Sequence, residues 1–210
     1  MKKETKQILE KMFLDNQGLE ICRNEIIEAY ETILGCYKKN GTVLVCGNGG
    51  SAADSEHIVG ELMKGFLKQR NISEKHKKII GDENLSNYLQ GALPAISLVS
   101  QSSVLTAYIN DVKPDMVYAQ LVYGYRNPNN ILIGITTSGN SRNIINAIKV
   151  AKAFKMKTIG FTGQGGGALS SLCDNMLRMP AIETYRVQEL QLPVYHVLCA
   201  MVESEMFDEE

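Results

Sequence analysis

Apolar positions along this chain change their period near Gly41, from a helical spacing to short unbroken runs. Ile26, Ile27, Tyr30, Ile33, Leu34 and Tyr37 stand at offsets 0, 1, 4, 7, 8 and 11, the stripe of an amphipathic helix. The first forty residues are therefore predicted to be helical. A division is expected at Asn16-Gln17-Gly18, because glycine weakens a helix interior by about 1 kcal/mol relative to alanine. A stripe ahead of the first strand can pack on its own sheet or on another subunit, and the second option predicts an oligomer.

Beyond Gly41, five short runs read as strands: Thr42–Cys46, Pro94–Val99, Ile131–Ile135, Thr158–Phe161 and Asn175–Met179. Their apolarity is nearly continuous, which suits parallel strands covered on both faces. Helical patterns lie between them, over 51–66 and around Ile144, Ile145, Ile148 and Ala151. Strand and helix alternate, so the predicted class is α/β. The polar stretch from Lys68 to Gly91, with Glu74-Lys75-His76-Lys77-Lys78, is too long for a simple connection. We expect a surface excursion there, carried as solvated helix or as a lid.

Composition narrows the picture. At 210 residues and 44% hydrophobic, one core is expected to bury roughly 70% of the unfolded surface. The balance of 22 Lys and Arg against 23 Asp and Glu leaves a net charge of −1, which provides no basic field for a phosphate backbone, so nucleic acid is not an expected partner. Apolar runs such as Ile131–Ile135 fall well short of the roughly 20 residues a membrane span needs. The charged start, Met1-Lys2-Lys3-Glu4-Thr5-Lys6, lacks the apolar core of a secretory signal, and a cytoplasmic address is expected. Five cysteines without a C-x-x-C spacing argue against a disulfide scaffold and a thiolate zinc site. They read as small buried hydrophobes.

Glycine supplies the first chemical signal. Gly47, Gly49, Gly50, Gly139, Gly163, Gly165, Gly166 and Gly167 place 8 of the 18 glycines just after three predicted strands. In an open parallel sheet the carboxyl ends of strands form the ligand crevice, and glycine there lets backbone N–H groups approach an anion. The segment Thr136-Thr137-Ser138-Gly139-Asn140-Ser141 carries four hydroxyls. A helix cap needs one oxygen, whereas a phosphate has three to satisfy. Gly47-Asn48-Gly49-Gly50-Ser51-Ala52 fits a relaxed dinucleotide fingerprint, but the next strand ends on no acidic residue. No nucleotide cofactor is expected, and Ser138 is not in a nucleophile elbow.

Histidine supplies the second signal, with three in the chain. His76 sits among lysines and reads as solvated. His57 and Glu61, four apart, share one face of the helix that starts at the first glycine loop. His196 lies two turns beyond Gln188 on a path that Pro193 could kink. Taken alone, it reads as a core histidine.

Together these segments resemble the sugar-isomerase (SIS) domain family and, within it, the phosphoheptose isomerases. The resemblance rests on Cys46-Gly47-Asn48-Gly49-Gly50-Ser51, His57-x-x-x-Glu61, Asn110-Asp111, Thr136 to Ser141, and Thr184-x-Arg186-Val187-Gln188-Glu189 with His196. It spans nearly the whole chain, 1–210, as one SIS domain. It implies a five-stranded parallel sheet flanked by helices over 41–210, an N-terminal helical extension over 1–40 for oligomerisation, and an insertion at 68–91. It further implies a cytoplasmic homotetramer with shared active sites. The activity implied converts a ketose phosphate, most simply sedoheptulose 7-phosphate, to an aldose phosphate through an enediolate. Glu61 and His196 would be catalytic. Asn48, Gly49, Gly50, Ser51, Asn110, Asp111, Thr136, Thr137, Ser138, Ser141 and Gln188 would bind the phosphosugar. His57, Glu61, Gln188 and His196 would be zinc ligands, although glutamine is a poor one.

Several positions depart from the family pattern. The 68–91 stretch is longer than its counterpart, Thr136 and Val187 replace serine and isoleucine, and Gln191 stands where many relatives carry histidine. A non-catalytic SIS module, binding a phosphosugar or a protein, is the alternative expectation. Loss of Glu61 and His196 would favour it, and this chain keeps both.

Overall fold

Residues 1–207 are described by a computed structural model of the chain. Five parallel strands, β1 (Val43–Cys46), β2 (Ala95–Ser97), β3 (Ile131–Ile135), β4 (Lys157–Gly163) and β5 (Asn175–Met179), form a sheet in the order β2-β1-β3-β4-β5. Both faces are covered, as the unbroken apolar runs require. Val43, Val45, Ile131, Ile133 and Ile135 face one core with the N-terminal and C-terminal helices. Leu44, Cys46 and Leu132 face a second, with Val117, Val122, Ile144 and Ile148. β2 is shorter than predicted because Leu98–Ser100 turn into a 3-10 helix, and β4 runs two residues further, into the third glycine loop.

The N-terminal region divides where glycine predicted. Helix α1 (Lys3–Asp15) ends at Asn16, a 3-10 turn covers Gln17–Cys22, and α2 (Arg23–Lys38) follows. The α2 stripe packs inward, with Ile26, Tyr30, Ile33, Leu34 and Tyr37 all buried in the chain's own core. Of its two readings, the stripe takes the one in which it packs on its own sheet.

Helix α3 (Gly50–Met63) stops three residues before the predicted end. Beyond it, the Glu203 carboxylate accepts the N–H groups of Phe66, Leu67 and Lys68. Arg70 donates to Glu203 at 2.6 Å, and its other nitrogens donate to the carbonyls of Leu62 and Glu61, closing the α3 carboxyl end. Both partners of this ion pair are fully buried. The 68–91 stretch thus runs over the surface from an anchored start. Its ends are tied by the Asn71–Gln90 bridge and the Gly91 N–H to the Arg70 carbonyl. Within it only Arg70 and Ser86 are buried; α4 (Glu74–Ile80) buries no residue, and a short α5 (Glu83–Ser86) follows.

Helices α6 (Ser102–Asp111), α7 (Val117–Gly124) and α8 (Arg142–Ala153) cover the second face, and α9 (Thr184–Met206) runs through Pro193 without interruption. All five cysteines are free, and four are buried. Among the described residues no helix is long and apolar enough to cross a membrane.

Candidate active site

The carboxyl ends of β1, β3 and β4 carry the three glycine loops, as expected. Ser141 occupies the position before α8, yet its side chain caps no N–H there. Its hydroxyl instead lies 2.8 Å from Thr136 Oγ1. A bland capping role for Ser141 is thereby removed, and the two oxygens are held side by side. Ser138 is exposed and accepts the Asn140 N–H at 3.2 Å. Asn48 in the first loop exchanges two hydrogen bonds with Asn143 at the start of α8, at 3.0 and 2.8 Å. The first two loops are thus locked together.

The third loop packs directly against the second. Gly139 has φ +69°, and a Cβ there would stand 2.0 Å from the Gly166 carbonyl oxygen. Glycine in the third loop thus serves backbone-to-backbone packing against the hydroxyl loop. Beside them a cleft of about 560 Å³ is lined by Thr137, Ser138, Gly163, Gln164, Gly165 and Ile182, among others.

Acid–base candidates converge elsewhere. Helices α3 and α9 run parallel, since contacts advance along both together. Gly50 abuts Gln188, so that a Cβ at Gly50 would stand 2.5 Å from Gln188 Nε2. One to two turns on, Tyr195 donates its hydroxyl to Asp54 Oδ1 at 3.3 Å and lies 3.0 Å from His57 Nδ1. His57 Nε2 is 3.2 Å from Glu61 Oε1 and 3.4 Å from His196 Nε2. Lys64 contacts the other Glu61 oxygen at 3.2 Å. His196 is therefore no enclosed core histidine. It lines a separate groove of about 410 Å³ with Ile8, Met12, Phe66, Leu67 and Pro193. Neither that groove nor the larger cleft contains both ends of the candidate site. The chemistry follows the hydrogen-bonded cluster rather than the larger cavity.

Burial and the neighbouring His57 hold the His196 imidazole below the usual histidine range, against the pull of Glu61. Asp54 is raised by burial, against the Tyr195 hydrogen bond and His57. Tyr195 is raised by burial and by Asp54. Asn110 and Asp111, at the end of α6, bond to each other at 2.8 Å on the surface, and among the described residues no hydrogen bond ties them to the loops or to α3. Sequence reasoning missed Asp54 and Tyr195. The H-x-x-x-E spacing did mark their face of α3, one turn before His57.

Zinc takes four ligands in a tetrahedral shell. A tetrahedral shell with bonds of about 2 Å has edges of about 3.3 Å, and both spacings around His57 Nε2 match it. Even so, among the described residues no group of three His, Cys, Asp or Glu side chains is arranged to hold a metal ion. The donor types suit zinc and the shell does not close within one chain.

Residues 16–90 and 97–201 both match the SIS domain, and the chain belongs to that family. Among SIS proteins it is similar to phosphoheptose isomerases. Identity is 36% over 200 residues to the phosphoheptose isomerase of Campylobacter jejuni subsp. jejuni serotype O:6, covering 93% of this chain and 97% of that one. It is 38% over 201 residues to the one from Clostridium acetobutylicum, covering 96% and 90%. The solved structure of phosphoheptose isomerase from Neisseria gonorrhoeae superposes with a TM-score of 0.75 at 29% identity, covering 96% and 94% of the two chains.

Proposed function

We propose that this chain converts a ketose phosphate to an aldose phosphate through an enediolate, with sedoheptulose 7-phosphate as substrate and a heptose 7-phosphate as product. The observation that carries the reading is the meeting of Glu61 and His196 at one nitrogen of His57, in a chain whose relatives are phosphoheptose isomerases. Glu61, as carboxylate, takes the proton from the carbon beside the carbonyl and returns it to the neighbouring carbon. His196 moves the proton between the two substrate oxygens.

In this reading Ser51, Thr136, Ser138 and Ser141 hold the phosphate, with Thr137 lining the approach. The Thr136 and Ser141 pairing supports this, because two hydroxyls held together offer donors to one anion. Asn48, Gly49, Gly50 and Gln188 hold the sugar beside the acid–base cluster. Asn110 and Asp111 are assigned to substrate on the family resemblance. Zinc would be held by His57, Glu61, Gln188 and His196. Bound there, it would supply Lewis-acid polarisation of a carbonyl; the proton transfers are assigned to Glu61 and His196.

The proposed assembly is a cytoplasmic homotetramer with sites shared between subunits. Exposed Leu67 on the His196 groove, with Leu14 and Ile21 exposed on the N-terminal segment, supports subunit contact. Free thiols suit a reducing compartment. To test the function, sedoheptulose 7-phosphate is supplied to the purified chain and aldose formation is followed. Turnover is expected, whereas tight binding without turnover returns the chain to a binding module.

A further inference from the structure

The oxygen and nitrogen of an asparagine amide are alike in shape, so the way it faces is set by what each neighbour gives or takes. Ile144 stands in the first turn of α8, where backbone N–H groups lack a helical partner, and its N–H donates to Asn143 Oδ1 at 3.0 Å. Flipping Asn143 would set two donors against each other there. Its facing dictates that of Asn48, whose Nδ2 must meet Asn143 Oδ1, at 3.0 Å, and whose Oδ1 must meet Asn143 Nδ2, at 2.8 Å. Two amides paired in this way each use the hydrogen on the oxygen side. The second hydrogen of Asn48 Nδ2 is left pointing away from Asn143, and among the described residues no group accepts it. The same loop is held from its other flank, where Tyr118 of α7 donates its hydroxyl to the Gly47 carbonyl at 2.8 Å.

We propose that Asn143 is a positioning residue that fixes the Asn48 amide with its uncommitted N–H offered to an oxygen of the sugar, a carbonyl or hydroxyl of the open chain. Asn143 follows Ser141 by two residues at the start of α8. One rigid segment therefore carries a phosphate-binding hydroxyl and the group that aims the sugar-binding donor. The spacing between the two grips is set before substrate arrives. An Asn48 side chain free to rotate would be ordered on binding, at a cost in affinity, and would present oxygen as readily as nitrogen. Held by Asn143, it presents a donor in one direction. The inference rests on reading Asn48 as a sugar-binding residue and Ser141 as a phosphate-binding one.

A double-mutant cycle on the full-length chain tests it. Asn143→Ala should raise KM for sedoheptulose 7-phosphate roughly threefold to tenfold, the loss expected for a neutral hydrogen bond, with kcat changed less than about twofold. Inhibition by inorganic phosphate, which has no sugar oxygen to meet, should not change. In an Asn48→Ala background the same substitution should add nothing, because the amide it acts through is gone. A role confined to the start of α8 would act in both backgrounds alike. An equal rise in KM in both backgrounds, weaker inhibition by phosphate in Asn143→Ala, or an unchanged KM beside an impaired Asn48→Ala each overturns the proposal. Should Asn48→Ala itself leave KM unchanged, the reading of Asn48 as a sugar-binding residue fails, and the proposal with it. Absence of turnover in the unaltered chain contradicts the isomerase reading instead, and the cycle is then read on phosphosugar binding by calorimetry. If Asn143→Ala fails to fold, the unaltered chain labelled with nitrogen-15 at asparagine decides, with Asn48→Ala assigning the side-chain signal. The Asn48 hydrogen on the oxygen side should lie downfield, as a bonded hydrogen does, and the other should move with sedoheptulose 7-phosphate but not with inorganic phosphate. Two hydrogens that respond alike, or a second hydrogen that ignores the sugar, overturn the proposal.

Discussion

The two ends of the candidate site are built in opposite ways. The hydroxyl end comes from one short loop, where Thr136 and Ser141 lie five residues apart and meet at 2.8 Å. The acid–base end joins His57 to His196 across 139 positions and depends on the register of α3 against α9. A helix turns about 100° per residue, so a slip of one position would carry Glu61 or His196 off the shared face. Local sequence is sufficient for an anion cradle. A proton-transfer pair needs two helices held in phase, and the buried Arg70 and Glu203 pair holds the end of α3 against α9.

Substitutions at each end sharpen this contrast. The largest effect on rate is expected for Glu61→Gln, which should cost about 10²–10⁴-fold in turnover while calorimetry still detects phosphosugar binding; equal loss of binding would mean the two ends are not separable. Arg70→Met leaves Glu203 charged, buried and unpaired, and should lower stability by about 3–5 kcal/mol in chemical denaturation. A neutral result there would remove the clamp from the account. Ser138→Ala with Ser141→Ala should weaken phosphosugar binding roughly tenfold to a hundredfold, the loss expected for bonds to a charged group. Affinity for the unphosphorylated sugar should not change, and loss of both would refute the assignment.

The smallest effect concerns pH. His196 is held below the ordinary histidine value of 6.5, so the unfolded chain binds this proton more readily than the folded one. Stability should therefore be insensitive to His196 above pH 6.5 and decline as pH falls from there toward the lowered folded value. His196→Gln should show a shallower decline in thermal unfolding over that window, and an identical slope would contradict the assigned shift.

Much of the fold was legible because parallel strands covered on both sides must be apolar throughout, and the runs at Ile131–Ile135 and Asn175–Met179 match β3 and β5 residue for residue. The hydroxyl loop was legible for a related reason, since its chemistry lies within six consecutive residues. Arg70 was not. It sits in a run of polar residues whose pattern reads as solvated, and its partner Glu203 lies 133 positions away. The role of Gly139 and the direction of the α2 stripe were hidden likewise, because each depends on what another segment brings against it. Tyr195 looked like one more apolar position on α9, and its hydroxyl gained meaning only beside Asp54 and His57.

The account stands on Glu61 moving a proton at the carbon beside a phosphosugar carbonyl, and solvent deuterium wash-in reads that step directly. In heavy water with sedoheptulose 7-phosphate, the unaltered chain should place deuterium at that carbon during conversion, and Glu61→Gln should place none above the buffer control. Labelling by Glu61→Gln at the unaltered rate, or full conversion by the unaltered chain with no label in either sugar, would contradict it.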